Sequence, residues 1–504
     1  MDKYNPIFVQ NHSVFVVFWT NIDYSEAMSI YGRDRESQIL KKLLDSDKGE
    51  FLAVYGRRRV GKTFLIREYY RARSNYFEVT GINNASLETQ LQQFHNVYMQ
   101  KFNSLEPTPK DWHEAFNRLV KELDLLKGTK TVLFFDEVPW FASPRSNFME
   151  ALDHFWNRFC SQMPHVILVV CGSAASWMIN NIIQNTKGLY GRLTQHMHLL
   201  PFTLRETEDF LLSKGINWDR KQLIEFYMAV GGIPKYLEQA TPSFSASQAI
   251  QKLFFHKDGF LVREFNHLFQ SLFSNHEKHI QIIRQLSSKP YGQTRSELIN
   301  EKSGLHGGRL TAILNELETS GFIFGLPQFG KKKHGAIYRL VDSFSLFYLK
   351  WIDSIPRAQL ESLEDQYWEN MKNSASYHSW SGLAFEVICL THIQKIKRAL
   401  GLSGVQAFIY SWNQKSSLGG AQIDLIIDRS DHCINLCEIK FYNDELVLKE
   451  PDALTLLKKL MLFKEITKTK KTLFTTLISS YGAKLNRHLS QSVQSQVTLE
   501  ALFD

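Results

Sequence analysis

The stretch GRRRVGKT at residues 56–63 constrains this chain most, because it dictates a local fold and a ligand together. It fits the pattern G-x-x-x-x-G-K-[ST], follows the apolar run FLAVY and opens the helical pattern TFLIREYY. The two glycines let the loop fold its backbone N–H groups around a phosphate, and the following helix adds the positive end of its dipole. The sequence therefore predicts a strand, a phosphate-binding loop and a helix in direct succession.

Each position of this loop is a candidate nucleotide contact. Lys62 is expected to reach the β and γ phosphates of ATP, and Thr63 is expected to ligate Mg²⁺. The three arginines occupy the unconstrained positions of the pattern, and we expect their side chains to be solvated. The predicted loop residues are Gly56, Arg57, Arg58, Arg59, Val60, Gly61, Lys62 and Thr63.

Two further strand patterns end in polar residues that belong to the same site. In TVLFFDEVPWF, Asp136 and Glu137 follow an apolar strand, and ligands gather at the carboxyl ends of parallel strands. Asp136 suits the Mg²⁺ shell and Glu137 suits polarising the attacking water, so ATP hydrolysis is the predicted chemistry. The pattern VILVVCGSAAS makes Ser173 either a sensor of the γ-phosphate or a helix N-cap.

Length and patterning divide the chain into several domains of an α/β multidomain protein. At 504 residues it exceeds what one hydrophobic core usually organises, and strand-like runs alternate with helical stretches as in a parallel sheet flanked by helices. Met28 is a second candidate start codon, and we expect the segment before it to be dispensable. The predicted parts are an N-terminal extension (1–27), a P-loop domain (28–203), a helical lid (204–275), a winged helix-turn-helix (276–350) and a linker with a C-terminal α/β domain (351–504).

Composition indicates the class of protein and its compartment but does not identify a ligand. The net charge of +8 permits binding to a polyanion but does not demand it. The five cysteines form no C-x-x-C pair, which indicates buried thiols in a reducing cytoplasm. No apolar run is long enough for a membrane helix and no signal peptide is visible, so we expect a cytoplasmic protein without a membrane partner.

Three further motifs accompany the phosphate loop in a fixed order: YGRDRE at 31–36, YGRLT at 190–194 and GGIPKYL at 231–237. With them, the chain from Met28 onward resembles the AAA+-related STAND ATPases of bacteria and archaea, in the archaeal-type branch with a C-terminal nuclease-like domain. The resemblance implies that Gly32 and Pro234 pack near the adenine and that Arg192 contacts the γ-phosphate. The lid lacks an obvious second sensor arginine, which favours a nucleotide switch over a ring.

The winged-helix pattern of the middle region predicts DNA as a partner. In such a module the third helix enters the major groove and the hairpin touches phosphates. Here Arg309 begins that helix, and Lys331, Lys332, Lys333 and His334 occupy the hairpin tip. The alternative is a module that packs between domains and whose lysines are a solvated turn. Self-association or an unidentified protein partner also stays open.

The stretch INLCEIKFYN at 434–443 places Glu438 and Lys440 on one face of a strand, because side chains alternate with period two. A hairpin through RSDHC would bring Asp424 of the preceding strand AQIDLIIDR beside them, on the same face as Gln422 and Ile426. Upstream, Glu386 interrupts the apolar side of an amphipathic helix. Three carboxylates and a lysine are therefore expected to converge.

This constellation resembles the PD-(D/E)xK nucleases, although Ile423 stands where that motif has proline. The resemblance implies that Asp424 and Glu438 hold Mg²⁺ and that Lys440 orients the attacking water, with Glu386 as a further catalytic acid. The alternative is a salt bridge between Glu438 and Lys440 on a solvated sheet face. The sequence thus predicts an ATPase switch acting on DNA, with nuclease activity open; the rival is a nucleotide-controlled scaffold or transcription regulator with an inactive nuclease-like domain.

Overall fold

The structure is a computed structural model, and the hairpin tip predicted to touch DNA lies mostly outside the part it describes. The described residues are 30–184, 191–273, 275–302, 304–331, 335–360, 362–363, 366–414 and 420–504. The N-terminal extension, Tyr190, Lys332, Lys333 and His334 therefore lie outside the described residues. Within the described ranges, no helix is long and apolar enough to cross a membrane.

The first domain is built on a parallel sheet of five strands covered by helices on both faces. The strands are β1 (Glu50–Tyr55), β2 (Asn75–Thr80), β3 (Thr131–Asp136), β4 (Val166–Gly172) and β5 (Gln195–His198). The helices are α1 (Asp34–Leu44), α2 (Lys62–Tyr70), α3 (Leu87–Phe102), α4 (Trp112–Leu125), α5 (Val138–Phe141), α6 (Phe148–Arg158) and α7 (Ala175–Met178), which continues into a π-helical turn (Ile179–Ile183). A 3₁₀ turn (Cys160–Gln162) follows α6.

The strand order β2-β3-β4-β1-β5 places β1 and β3 on either side of β4, so the residues that follow them meet at one edge. Every residue of β1, β3 and β4 is buried, as expected for parallel strands covered on both faces. The three strands predicted from the apolar runs FLAVY, TVLFF and VILVVC are confirmed as β1, β3 and β4. The fifth, β5, was not predicted because its sequence QHMH has no apolar run.

A group of helices follows the sheet. They are α8 (Leu204–Ser213), α9 (Arg220–Val230), α10 (Pro234–Leu237), α11 (Ala246–Phe254) and α12 (Glu264–Leu272). Helix α8 begins with a capping box, in which the side chains of Thr203 and Glu206 each accept from the other's backbone N–H. Helix α9 is buried from Leu223 to Val230 because α8 and α11 both pack against it.

The next elements form a small unit, residues 276–351, which we call the middle unit. Its elements are α13 (His276–Ser287), β6 (Gln293–Thr294), α14 (Gly307–Thr319), β7 (Ile323–Leu326), β8 (Ile337–Leu340) and α15 (Ser343–Trp351). The strands form an antiparallel sheet in the order β6-β8-β7. The second helix that a winged helix-turn-helix requires does not form at residues 294–302. Thr294 donates from its N–H and hydroxyl to Glu297, and the chain there forms a turn instead.

The C-terminal domain contains a second five-stranded sheet, which is mixed. Its elements are α16 (Arg357–Leu360), α17 (Tyr367–Lys372), α18 (Ala375–Thr391), α19 (Ile393–Ala399), β9 (Ala407–Gln414), β10 (Ala421–Arg429), β11 (Cys433–Lys440), α20 (Glu450–Thr467), β12 (Thr472–Ser479), α21 (Arg487–Ser492), β13 (Ser495–Thr498) and a 3₁₀ turn (Leu499–Leu502). Strands β9, β10 and β11 are antiparallel neighbours, whereas β11, β12 and β13 are parallel. The predicted hairpin between β10 and β11 is confirmed.

The middle unit is docked on the C-terminal sheet. The N–H of Phe329 donates to the carbonyl of Ser411 in β9, and the N–H of Ser411 donates back to Pro327, at 2.9 Å each. The ring of Phe329 lies 5.1 Å from that of Phe463 in α20. The residues that lead into the predicted hairpin tip, as far as Phe329, therefore pack against the C-terminal domain, while Lys331 is exposed.

Candidate nucleotide site and acid cluster

The phosphate loop follows β1 and depends on its glycines. Gly56 has a φ of +148°, and a Cβ atom there would lie 2.2 Å from the carbonyl oxygen of Leu199. Gly61 has a φ of +91° and marks the entry into α2. Only glycine adopts such φ angles without strain, so the backbone conformation of the loop requires glycine at both fixed positions of the pattern.

The lysine and threonine of the loop lie where the pattern predicts. Lys62 Nζ donates to the carbonyl oxygens of Gly56 (2.9 Å) and Arg57 (3.0 Å). Both acceptors are backbone carbonyls, which carry partial and not full negative charge. Thr63 Oγ1 donates to Asp136 Oδ2 at 2.7 Å. A hydroxyl and a carboxylate thus stand together at the strand edge, as a Mg²⁺ shell requires.

Glu137 lies beside them and is held by Ser173. Its Oε2 accepts from the Ser173 N–H (3.0 Å) and from the Ser173 hydroxyl (2.9 Å). Burial raises the pKa of Glu137, partly offset by Lys62. Ser173 does not cap α7, whose N-cap is Ala174 without a side-chain bond, so the N-cap alternative is wrong. A γ-phosphate contact of Ser173 stays a prediction.

A cavity of about 710 Å³ adjoins the loop, a volume suited to a nucleotide-sized ligand. Lys62 and Thr63 line one part of it, and Phe202, Phe210 and Pro234 line an apolar part. Pro234 therefore lines this cavity, and its packing against an adenine ring stays a prediction. Gly32 does not line this cavity; its φ of +61° and its close approach to Glu206 instead turn the chain between Tyr31 and Arg33, which do.

Arg33 is a residue whose role the sequence did not reveal. It is 5% exposed, and its guanidinium donates to the carbonyls of Val60 (3.1 Å) and Leu200 (2.9 Å) while lying 4.4 Å from the ring centre of Phe202. It therefore fixes the phosphate loop to the chain after β5. Its position inside the motif YGRDRE was the available signal.

The expectation that the three loop arginines are solvated is wrong for two of them. Arg57 is 3% exposed and pairs with Asp342 of the middle unit. Arg59 pairs with Glu264 of α12 at 2.8 Å. Arg58 is exposed and lines the cavity. Arg57 is buried and Arg59 is partly buried because the middle unit and the helical group pack over the loop, and their partners are far away in the sequence.

Arg192 lies at the amino-terminal ends of the parallel strands, whereas the phosphate loop lies at their carboxyl ends. It precedes β5, whose Gln195 pairs in parallel register with Leu52 near the start of β1, whereas the loop follows the end of β1. Its side chain is exposed. The structure therefore does not bring Arg192 to the phosphate loop of its own chain, because the length of β1 separates them.

The predicted acids and lysine of the C-terminal domain are neighbours. Glu438 lies between two lysines, with Lys440 Nζ at 2.9 Å from Oε1 and Lys459 Nζ at 2.6 Å from Oε2. Asp424 Oδ2 accepts from the N–H of Ile439 at 2.9 Å. Glu386 of α18 is buried and accepts from Arg339 Nη2 of β8 at 2.9 Å. We call Glu386, Asp424 and Glu438 the acid cluster.

A bulge changes the predicted face of Asp424. The register of β10 shifts between Ile423 and Ile426, so these two isoleucines pack into one small core with Leu436. The simple alternation that placed Asp424 on the same face as Ile426 is therefore wrong, because the extra residue breaks the period of two. Neither Lys459 nor Arg339 was predicted, since both come from other elements.

Electrostatics distinguishes the three acids. Burial, together with the charges of Glu438 and Glu386, raises the pKa of Asp424 to about 7. Burial also raises the pKa of Glu386. Although burial opposes it, Lys440 and Lys459 hold the pKa of Glu438 below its ordinary value. Negative charge is therefore least compensated at Asp424.

The donor set suits a hard cation, but its present geometry does not gather it around one. Carboxylate oxygens are the ligands that Mg²⁺ and Mn²⁺ prefer, and the raised pKa of Asp424 shows charge that a cation would stabilise. Among the described residues, however, no three carboxylate, imidazole or thiolate side chains stand close enough to hold one metal ion. Glu386 and Glu438 are instead neutralised by this chain's own cations.

Comparison with known proteins agrees with the phosphate-loop geometry. A family described as an ATPase domain predominantly from Archaea matches residues 30–240. Residues 30–240 form an ATPase domain of archaeal type. An uncharacterized protein of Methanocaldococcus jannaschii is 25% identical over 415 residues, which cover 81% of this chain and 87% of that protein.

Solved structures with a related fold are distant. A Walker-type ATPase of Pyrococcus abyssi is 19% identical, with a TM-score of 0.46 over 64% of this chain and 96% of its own. The ORC2 protein of Aeropyrum pernix, solved with ADPNP and ADP, is 14% identical, with a TM-score of 0.41 over 69% of this chain and 96% of its own.

Proposed function

We propose that this protein is a cytoplasmic, Mg²⁺-dependent ATPase whose nucleotide state controls an action on DNA. The observation that carries the ATPase part is the meeting of Lys62, Thr63, Asp136 and Glu137 at one sheet edge beside a cavity of about 710 Å³. The free, mostly buried cysteines support a reducing compartment.

The chain's own groups divide the work of hydrolysis. Lys62 leaves the carbonyls of Gly56 and Arg57 to meet the β and γ phosphates. Thr63 and Asp136 would hold Mg²⁺, which would supply charge neutralisation at the phosphates. Glu137 gives up its bonds from Ser173 and accepts a hydrogen bond from the attacking water, because a general base must lie within hydrogen-bond reach of that water.

Steady-state release of phosphate from ATP tests this division. Glu137→Gln should lower turnover by about 100-fold, a size typical of losing a general base, while leaving ATP affinity unchanged. Glu150→Gln, a change at an acid of the first turn of α6, is the matched control and should turn over normally. Normal turnover by Glu137→Gln would remove Glu137 from the chemistry.

The acid cluster supports cleavage of a phosphodiester as the action on DNA. Glu386 lies on α18, whereas Asp424, Glu438 and Lys440 lie on the adjacent strands β10 and β11 of the C-terminal sheet. In this proposal Asp424 and Glu438 hold a divalent ion and Lys440 orients water. Incubation of DNA with Mg²⁺ or Mn²⁺ should yield products, and Asp424→Asn should abolish them without changing ATP turnover.

The second candidate is a nucleotide-controlled scaffold that does not cut. Two observations favour it: lysines and an arginine already neutralise Glu438 and Glu386, and the loop containing Phe329 packs on β9. Absence of DNA products with either ion, with and without ATP, would establish this candidate over the nuclease.

A further inference from the structure

Two buried ion pairs meet in one short segment of the middle unit, residues 339–342. Arg339 pairs with Glu386 of the acid cluster, and the two side chains are 6% and 9% exposed. Asp342 pairs with Arg57 of the phosphate loop, and the two side chains are 5% and 3% exposed. One segment therefore touches both sites, although its partners lie in different domains.

The segment is held rigidly at both ends. Arg339 is paired with Phe324 within the small sheet, and the N–H groups of Val341 and Asp342 both donate to the carbonyl of Phe322, at 2.9 and 3.2 Å. Asp342 also caps α15 through the N–H of Ser345 at 2.9 Å. Displacement of one end is therefore passed to the other, since strand and helix cap move together.

Neither arginine is fully bonded. Among the described residues, Arg57 Nε and Nη2 and Arg339 Nε are buried without a hydrogen-bond partner. A buried donor that lacks an acceptor costs free energy, so these two pairs are weaker than bidentate ones. Each arginine therefore keeps buried N–H groups that another acceptor could satisfy.

One pair occupies a carboxylate that its site would need, and the other anchors the phosphate loop. Glu386 is engaged by Arg339 and is thereby withheld from a divalent ion at Asp424 and Glu438. Arg57 belongs to the loop whose carbonyl oxygens Lys62 now holds, at 2.9 Å from Gly56 and 3.0 Å from Arg57. Movement of Lys62 to a phosphate would release those carbonyls and with them the anchor of Arg57.

We infer that the segment 339–342 links the nucleotide site to the acid cluster. Arg339 is an internal cation that blocks divalent-ion binding, and ATP at the phosphate loop weakens the Arg57–Asp342 pair and so releases Glu386. The inference rests on the proposed role of the acid cluster as a divalent-ion site. Linkage is reciprocal, so an ion at the cluster also raises the affinity for ATP.

Calorimetric titration of Mn²⁺ into the full chain, without nucleotide, tests the Arg339 end. Arg339→Gln should bind Mn²⁺ about tenfold more tightly than the unaltered protein, and adding Asp424→Asn to that variant should erase the gain. Arg284→Gln is the matched control, because Arg284 of the same unit pairs with Asp353 at 2.6 Å but is 51% exposed. Its Mn²⁺ affinity should equal that of the unaltered protein.

The Arg57 end is tested by the same titration. Arg57→Gln and Asp342→Asn, which keeps a capping side chain, should each tighten Mn²⁺ binding severalfold although neither touches the acids. An Arg339→Gln variant no tighter than the unaltered protein overturns the inference. Tightening by Arg339→Gln but not by the two distant variants overturns the link, and leaves the divalent-ion site standing.

Hydrogen exchange on the unaltered protein keeps the test decisive if a variant fails to fold. Amides of β8 should exchange severalfold faster with a non-hydrolysable ATP analogue bound than without it, while amides of β4 stay protected. Equal exchange of β8 in both states overturns the link. The nuclease proposal fails separately, through the absence of DNA products.

Discussion

The phosphate loop and the acid cluster both combine strand-end carboxylates with a lysine, yet only the loop is open to a ligand. Lys62 bonds backbone carbonyls and lines a cavity of about 710 Å³. Lys440 and Lys459 instead pair with Glu438, and the cavity that Glu438 and Lys459 line measures about 10 Å³, too small for more than a water molecule. The same residue types are thus prepared for a ligand in one region and neutralised in the other.

The largest expected effect on stability comes from adding a side chain to the backbone of the phosphate loop. Gly56→Ala should lower the free energy of unfolding by about 3 kcal/mol and abolish ATP binding, because the new Cβ meets the Leu199 carbonyl at 2.2 Å. Gly404→Ala, in the C-terminal domain, meets no atom within 4 Å and should leave both unchanged. Urea unfolding and nucleotide titration check the pair; a stable, ATP-binding Gly56→Ala would show that the loop tolerates a side chain.

Acid should lower the free energy of unfolding by a similar amount, because it breaks a contact between helix α8 and the C-terminal domain. Burial lowers the pKa of His392 to about 4, and its Nε2 accepts from the N–H of Leu204 at 3.2 Å. The unfolded state, with an ordinary value near 6.5, binds the proton more tightly, so stability is full above pH 6.5 and falls as the pH drops toward 4. The expected loss is about 3 kcal/mol.

His392→Gln should flatten that pH dependence, whereas His378→Gln, at an exposed position of α18, should keep it. Unfolding followed by circular dichroism between pH 4 and 7 measures both slopes. Equal slopes in the two variants would move the acid sensitivity to another group.

The smallest effect tests whether the acid cluster is crowded with charge. Asp424→Asn should raise the free energy of unfolding by about 1 kcal/mol at pH 7, because it removes a buried carboxylate beside two others and keeps the acceptor for Ile439. Asp428→Asn on the same strand loses its pair with Lys471 and should destabilise slightly. A less stable Asp424→Asn would show that the cluster is already balanced.

The contrast between the regions also explains what the sequence could predict. The positions of Gly56, Lys62 and Thr63 follow from one contiguous pattern, because a strand, a loop and a helix suffice to set them. The hairpin joining Asp424 to Glu438 was predictable for the same reason. Asp136 was predicted from a separate strand, because ligands gather at the carboxyl ends of parallel strands.

The contacts that the sequence did not predict are made with residues from distant parts of the chain. Arg57 was expected in solvent because Asp342 lies 285 residues away, and Arg339 and Lys459 reach the acid cluster from other elements. The bulge in β10 shifted Asp424 without any glycine or proline to announce it. Arg192 was placed by a motif, but the register of β5 decides which edge of the sheet it occupies.

Equilibrium binding of a non-hydrolysable ATP analogue tests the central claim, that this chain works through the cavity beside its phosphate loop. The unaltered protein with Mg²⁺ should bind the analogue saturably, and Lys62→Ala should weaken binding about 100-fold, since a cation leaves the phosphate cradle and the expected cost is near 3 kcal/mol. Lys110→Ala, an exposed lysine of the same domain, should bind normally. Lys62→Ala that binds as tightly as the unaltered protein would contradict the account.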